Sequence, residues 1–210
     1  MLAFFLLALN NTAAAAPLDA ATYYIGSSET VRNIQTIQHR LESSSSTHAD
    51  SGRTSSWSCS ADGARLACNA SATAWGHWYN DRLYWEGECG GDASLDWNGN
   101  TLEVYCQSGA RFTVLEGSYG KLELVAEVKA SVKRQTSFAY ASLPPQSSYT
   151  YGSVSGVIGI GGELGPSERQ RWITGACGLS ASYSTATGYS SGPGCGVGFD
   201  LNKRPGAWRR

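Results

Sequence analysis

The sequence predicts an all-β antiparallel domain, a sandwich or a barrel, braced by disulfides and preceded by one amphipathic helix. Three observations carry that prediction. Across Lys121 to Val132, residues Leu122, Leu124, Ala126, Val128, Ala130 and Val132 alternate with Lys121, Glu123, Val125, Glu127, Lys129 and Ser131, the pattern of a strand with one buried and one wet face. The dipeptides Asp62-Gly63 and Asn98-Gly99 stand between short apolar runs, where tight hairpin turns form. Six cysteines all lie downstream of an apolar leader, as in a chain that folds in an oxidising compartment.

The elements follow in order. Leu2 to Leu9 is apolar and reaches about half of the roughly 20 residues a membrane-spanning helix needs. Asn10 and Asn11 break the run, and Ala13 to Ala16 supplies the small side chains of a cleavage site, so residues 1–16 read as a secretory signal peptide. No later segment is long and apolar enough to form a helix across a membrane, and the expected product is soluble and extracellular. A formal charge of −1 excludes a strongly basic nucleic-acid binder.

Residues 17–56 follow as a helix with a polar tail. Ser27-Ser28-Glu29 offers a cap and an acidic first turn, and Val31, Ile34, Ile37 and Leu41 recur on one helical face. Ser43 to Gly52 is polar and reads as a linker, which makes the whole segment a candidate pro-segment.

Residues 57–210 form the β-domain. Trp57 to Cys68 reads as strand, Asp-Gly turn and strand; Leu95 to Cys106 repeats the shape around Asn98-Gly99. Arg111 to Leu115, before a turn at Gly117 to Gly120, pairs with the alternating strand. Beyond Phe138 the chain is rich in Tyr, Ser and Gly. Leu143-Pro144-Pro145 breaks it, and Val154 to Ile160 and Val197 to Leu201 read as further strands.

Local geometry favours Cys59 with Cys68, Cys89 with Cys106, and Cys177 with Cys195, each closing a short loop, although the first four could exchange partners. Each bridge contributes roughly 2–4 kcal/mol by restricting the unfolded chain. A zinc site has no support, since there is no Cys-x-x-Cys and His77 stands alone.

For chemistry the chain offers an aromatic cluster and a carboxylate pair. Trp75, Trp78, Tyr79, Trp85 and Trp97 crowd one region and form a candidate contact surface, for a protein or for sugar rings. Glu86 and Glu88, two apart, share one side of a strand and would be the carboxylates of a glycosidase-like site. No catalytic residue is assigned and no cofactor motif is present: Gly152 to Gly165 lacks the ending of a phosphate loop. Asn69-Ala70-Ser71 is a glycosylation sequon in an expected loop. Lys133-Arg134, at an expected strand end, is a dibasic candidate processing site. Cutting after Arg134 leaves four cysteines on one side and two on the other, so no thiol is orphaned.

The alanine-rich leader ending at Ala16-Pro17-Leu18, the polar segment after it, the even cysteine set and Lys133-Arg134 together resemble small secreted fungal proteins of the effector and killer-toxin-precursor type. The resemblance lies in the organisation of the chain, and here the dibasic pair falls inside the body. It implies a role at a host or competitor surface, and the expected protein is a non-enzymatic one that binds a host or competitor protein or a cell-wall glycan outside the cell. The alternative is a secreted carbohydrate-binding or carbohydrate-active protein that uses the Trp-rich region with Glu86 and Glu88.

Overall fold

The structure is a computed structural model that describes residues 20–137, 147–167 and 171–200. The leader, Leu143-Pro144-Pro145 and Leu201 lie outside these residues. Nine strands form one antiparallel sheet: β1 (Ala20–Gly26), β2 (Gly52–Asp62), β3 (Arg65–Trp78), β4 (Leu83–Asp96), β5 (Gly99–Gly117), β6 (Gly120–Ser137), β7 (Ser147–Leu164), β8 (Ile173–Ser184) and β9 (Gly188–Asp200). Strands β2 to β9 run as a meander of sequential neighbours. Strand β1 adds beyond β9, so the order is β1-β9-β8-β7-β6-β5-β4-β3-β2.

The antiparallel class, the N-terminal helix and all three cysteine pairings are as the sequence predicts. The sheet does not close into a barrel, because β1 and β2 are its two edges, and its second layer is a helix in place of another sheet.

That helix, α1 (Ser28–Thr47), starts where its sequence says it should: Ser27 caps it and accepts a hydrogen bond from the Thr30 amide, with Glu29 in the first turn. Its end differs from expectation, since Ser43 to Thr47 is helical rather than a linker. Hydroxyls of Ser43, Ser45, Ser46 and Thr47 donate to carbonyls three or four residues back. The last turn is also held from outside, where Arg111 Nη2 donates to Ser45 Oγ at 2.6 Å and His48 stacks on Trp75 with ring centroids 3.9 Å apart. Tertiary contact here overrides weak helix propensity.

The helix crosses the sheet along one row of paired residues. His77, Tyr84, Arg111, Val125, Gly159, Gly178 and Gly194 follow one another from β3 to β9, each in register with the next. Six strand spacings of about 4.8 Å span about 29 Å, and a helix of this length is about 30 Å long, so the two match and α1 runs nearly perpendicular to the strands.

Side-chain size along the row sets the fit. At the N-terminal end the helix lies in a glycine trough: a Cβ at Gly159 or Gly178 would collide with Ile34, and one at Gly194 with the Ser27 carbonyl. Tyr84 is large and closes the other end against Leu41 and Ile37. Val31, Ile34, Ile37 and Leu41 are all buried, and each contributes about 1.5–3 kcal/mol by leaving water.

A boundary after residue 56 therefore divides the fold. Strand β1 pairs with β9, β2 begins at Gly52, and the helix supplies most of the core, so residues 20–56 pack as part of the same fold as the strands after them.

Candidate functional site

Two faces of one sheet divide the chemistry. The helix face carries the ions. Glu123, fully buried, accepts hydrogen bonds from Gln38 Nε2 at 2.7 Å, Arg111 Nη1 at 2.8 Å and Thr113 Oγ1 at 3.2 Å, and Lys121 Nζ lies 2.8 Å away. Lys121 also pairs with Glu42, and Arg40 pairs with Glu127. Burial works against the Glu123 charge, but the hydrogen bonds of Lys121 and Gln38 and the charges of Lys121 and Arg111 outweigh it, holding the carboxyl below its ordinary value. Tyr84 goes the other way. Its burial, and then the hydrogen bond and charge of Glu86, push its hydroxyl well above the usual phenol range.

The far face is built of what the sequence placed inside. On β6 the row Leu122, Leu124, Val128 and Val132 is exposed, while Glu123 and Val125 are buried under the helix. The expectation that the apolar side of this strand is buried within the chain is thus corrected. The reason is that the helix brings its own polar and charged side chains, Gln38, Arg40 and Glu42, and so takes the polar side of the strand.

The same inversion runs across the sheet. Row by row, Leu83, Phe112, Leu124 and Ile160 share the far side with Ala110, Ala126, Ile158 and Leu179, then with Val128, then with Ala130, Val154 and Tyr183. Ile158 is 60% exposed, Leu179 57% and Val128 56%. Along the described strands only Arg53 and Arg134 place a charge on this face.

All three disulfides, Cys59–Cys68, Cys89–Cys106 and Cys177–Cys195, join directly opposed residues on it. A depression of about 960 Å³ on it is lined by Ala72, Ala74, Trp85, Val128 and the Cys89–Cys106 bridge. Alanines and glycine in the floor leave the indole of Trp85 as a wall, and its Nε1 donates to Ser108 Oγ at 2.7 Å. This face is the candidate site. It can hold an apolar surface, and among the described residues it offers no carboxylate to do acid–base work.

The aromatic cluster is divided. Trp78 and Trp85 lie on the far face, whereas Trp75 lies on the helix face against His48. Tyr79 sits in the β3–β4 turn, where Tyr79, Asn80 and Asp81 all take left-handed backbone angles (φ 57°, 56° and 64°), a strained run that holds Tyr79 in solvent. Trp97 is exposed in the β4–β5 turn, at the other end of β4.

Glu86 and Glu88 do share one side, as their spacing implies, but it is the helix face, opposite Trp78 and Trp85. Both are engaged: Glu86 accepts from the Tyr84 hydroxyl at 2.7 Å, and Glu88 accepts from Tyr105 at 2.9 Å and Gln107 at 2.8 Å.

Two further positions differ from expectation. Asn69 is on strand β3 rather than in a loop; it is exposed and accepts a hydrogen bond from Ser58 Oγ at 3.0 Å. Lys133 and Arg134 lie inside β6, not at its end, with Glu103 and Leu102 of β5 on one side and Tyr151 and Thr150 of β7 on the other. Lys133 also pairs with Glu103 at 3.5 Å.

Sequence reasoning missed the far face as a site and the Glu123 network altogether. The signal for both was the alternation of β6, which reports two kinds of side but not which one the helix covers. Among the described residues no helix is long and apolar enough to cross a membrane. No protein-family model, curated protein or solved structure matches this chain.

Proposed function

We propose that this chain is a secreted, non-enzymatic effector or toxin that acts outside the cell by binding a host or competitor target through the far face of its sheet. The observation that supports this reading is the uncovered apolar surface spread over the nine strands, an unusual expanse for a soluble monomer and the mark of an interaction surface. Three disulfides suit an oxidising, extracellular setting. A carbohydrate-active reading fares less well, because Glu86 and Glu88 serve as hydrogen-bond acceptors on the opposite face from Trp78 and Trp85.

The test is to infiltrate purified protein into host leaf tissue and to spot it on competing yeast. The native chain should provoke a response, Val128→Lys with Ile158→Lys should abolish it, and Glu86→Gln with Glu88→Gln should leave it intact. Silence of the native protein across several hosts and yeasts sinks the proposal. Chitin or glucan binding that is lost in folded Trp78→Ala and Trp85→Ala variants would transfer it to the carbohydrate reading.

A further inference from the structure

We infer that in solution the far face is covered by a second copy of this chain, giving a two-fold dimer in which the two sheets stack face to face and both helices lie outside. The inference concerns the same face as the function proposed above and supplies its resting state, the form in which the apolar surface travels before it meets a target.

Size is the first argument. Strands β3 to β9 and five alternate rows, from Leu124 down to Val132, the last of which stops at β7, outline a patch of roughly 29 by 27 Å at ordinary strand and residue spacings. Two such patches in contact remove roughly 1,600 Å² from water, the standard area of a specific protein–protein interface. Exposed apolar patches on monomers rarely exceed a few hundred Å².

Charge is the second. The two far-face charges are peripheral: Arg53 is on the edge strand β2, and Arg134 is three residues from the end of β6. Around Val128, Ile158 and Leu179 the face has no charge, so it presents an apolar centre and a polar rim, as interfaces do.

Shape is the third. Two sheets pack about 10 Å apart through side chains of both inner faces. Opposed rows of Val, Ile, Leu and Ala suit that spacing, and a two-fold axis brings the same patch to itself with no further complementarity needed. A lipid bilayer is the less suitable cover. Strands β1 and β2 leave unpaired edges that hydrocarbon cannot satisfy, and two arginines give little attraction to anionic headgroups.

Sedimentation equilibrium of the disulfide-intact protein tests this. The expected mass is twice that of the denatured chain at micromolar concentration. Val128→Lys with Ile158→Lys should sediment as a monomer with an unchanged circular dichroism spectrum, the milder Leu179→Gln should weaken association at least tenfold, and Ser131→Lys on the helix face should leave it unchanged. A monomeric native protein overturns the inference, and so does a dimer that survives the double lysine variant. Native monomer that floats with phosphatidylcholine–phosphatidylserine vesicles overturns it in favour of lipid. A dimer with no effect on tissue or yeast leaves this inference standing and sinks the target-binding reading, while a monomer with a face-dependent effect does the reverse.

Discussion

The helix face and the far face share every strand and almost no chemistry. Under the helix, glycine at Gly159, Gly178 and Gly194 makes room while Glu123, Arg111 and Lys121 form a buried ionic cluster. On the far side, Val, Ile, Leu and cystine stand in rows with almost no charge. A covering layer that carries its own polar groups lets a sheet bury its charged side and leave its apolar side for another molecule. The usual equation of apolar with inside then holds for the assembly and fails for the chain alone.

The contrast breaks most directly at Glu123. Replacing it with Ala leaves Arg111 and Lys121 without their shared partner beneath the helix, at a cost of about 3–5 kcal/mol in urea unfolding. A loss below about 1 kcal/mol would mean the cluster is solvated and the helix face ordinary. Next comes a matched pair of isoleucines. Ile34→Ala should cost about 2–5 kcal/mol, because Ile34 is fully buried over Gly159 and Gly178. Ile158→Ala on the far face should fall within about 0.5 kcal/mol when measured in a Val128→Lys background at a concentration where sedimentation shows monomer. Equal effects at the two sites would erase the distinction.

pH sharpens the comparison from the helix side. The carboxyl of Glu123 is depressed on folding, so its contribution is present above 4.5 and is lost as pH falls through the folded value. Tyr84 and Lys121 are raised: for Tyr84 burial and Glu86 add together, and for Lys121 the bonds to Glu123 and Glu42 overcome burial. Their contributions are present below about pH 10 and are lost as pH rises beyond it. Melting temperature measured against pH should fall at both ends and hold level between. A plateau unbroken down to pH 2 would remove Glu123 from the account.

The smallest expected effect is at Lys133-Arg134. Because both residues are paired on each side within β6, the folded protein should keep the Arg134–Gln135 bond and show one mass after reduction. Two fragments joined only by contact would show that cutting precedes completion of the sheet.

Two of the cysteine pairings, Cys59–Cys68 and Cys89–Cys106, were legible because hairpin turns at Asp62-Gly63 and around Trp97-Asn98 set the register locally. Asp96 Oδ1 secures the second turn by accepting from the Asn98 and Gly99 amides at 2.7 and 3.0 Å. The helix was legible from Val31, Ile34, Ile37 and Leu41 for the same reason, since its periodicity is a property of neighbours. What depends on distant partners was not. Ser43 to Thr47 is helical because Arg111 and Trp75 meet its end, and Lys133-Arg134 is interior because β7 extends as far as β6. The candidate site fell in that second class: Trp78 and Trp85 belong to the far face, but Trp75 and Trp97 do not, and only the strand register separates them.

The pairing of Ala20–Gly26 with the last strand, in which Gly26 lies opposite Gly194, has a consequence for biogenesis. Strand β1 must wait for β9, more than 160 residues later, before it finds its neighbour, and long sequence separations of this kind make folding slow. A nascent chain lacking residues 188–200 has no strand on which to seat β1 and lacks the Gly194 floor beneath Ser27, so the sheet is completed only after β9 has been made.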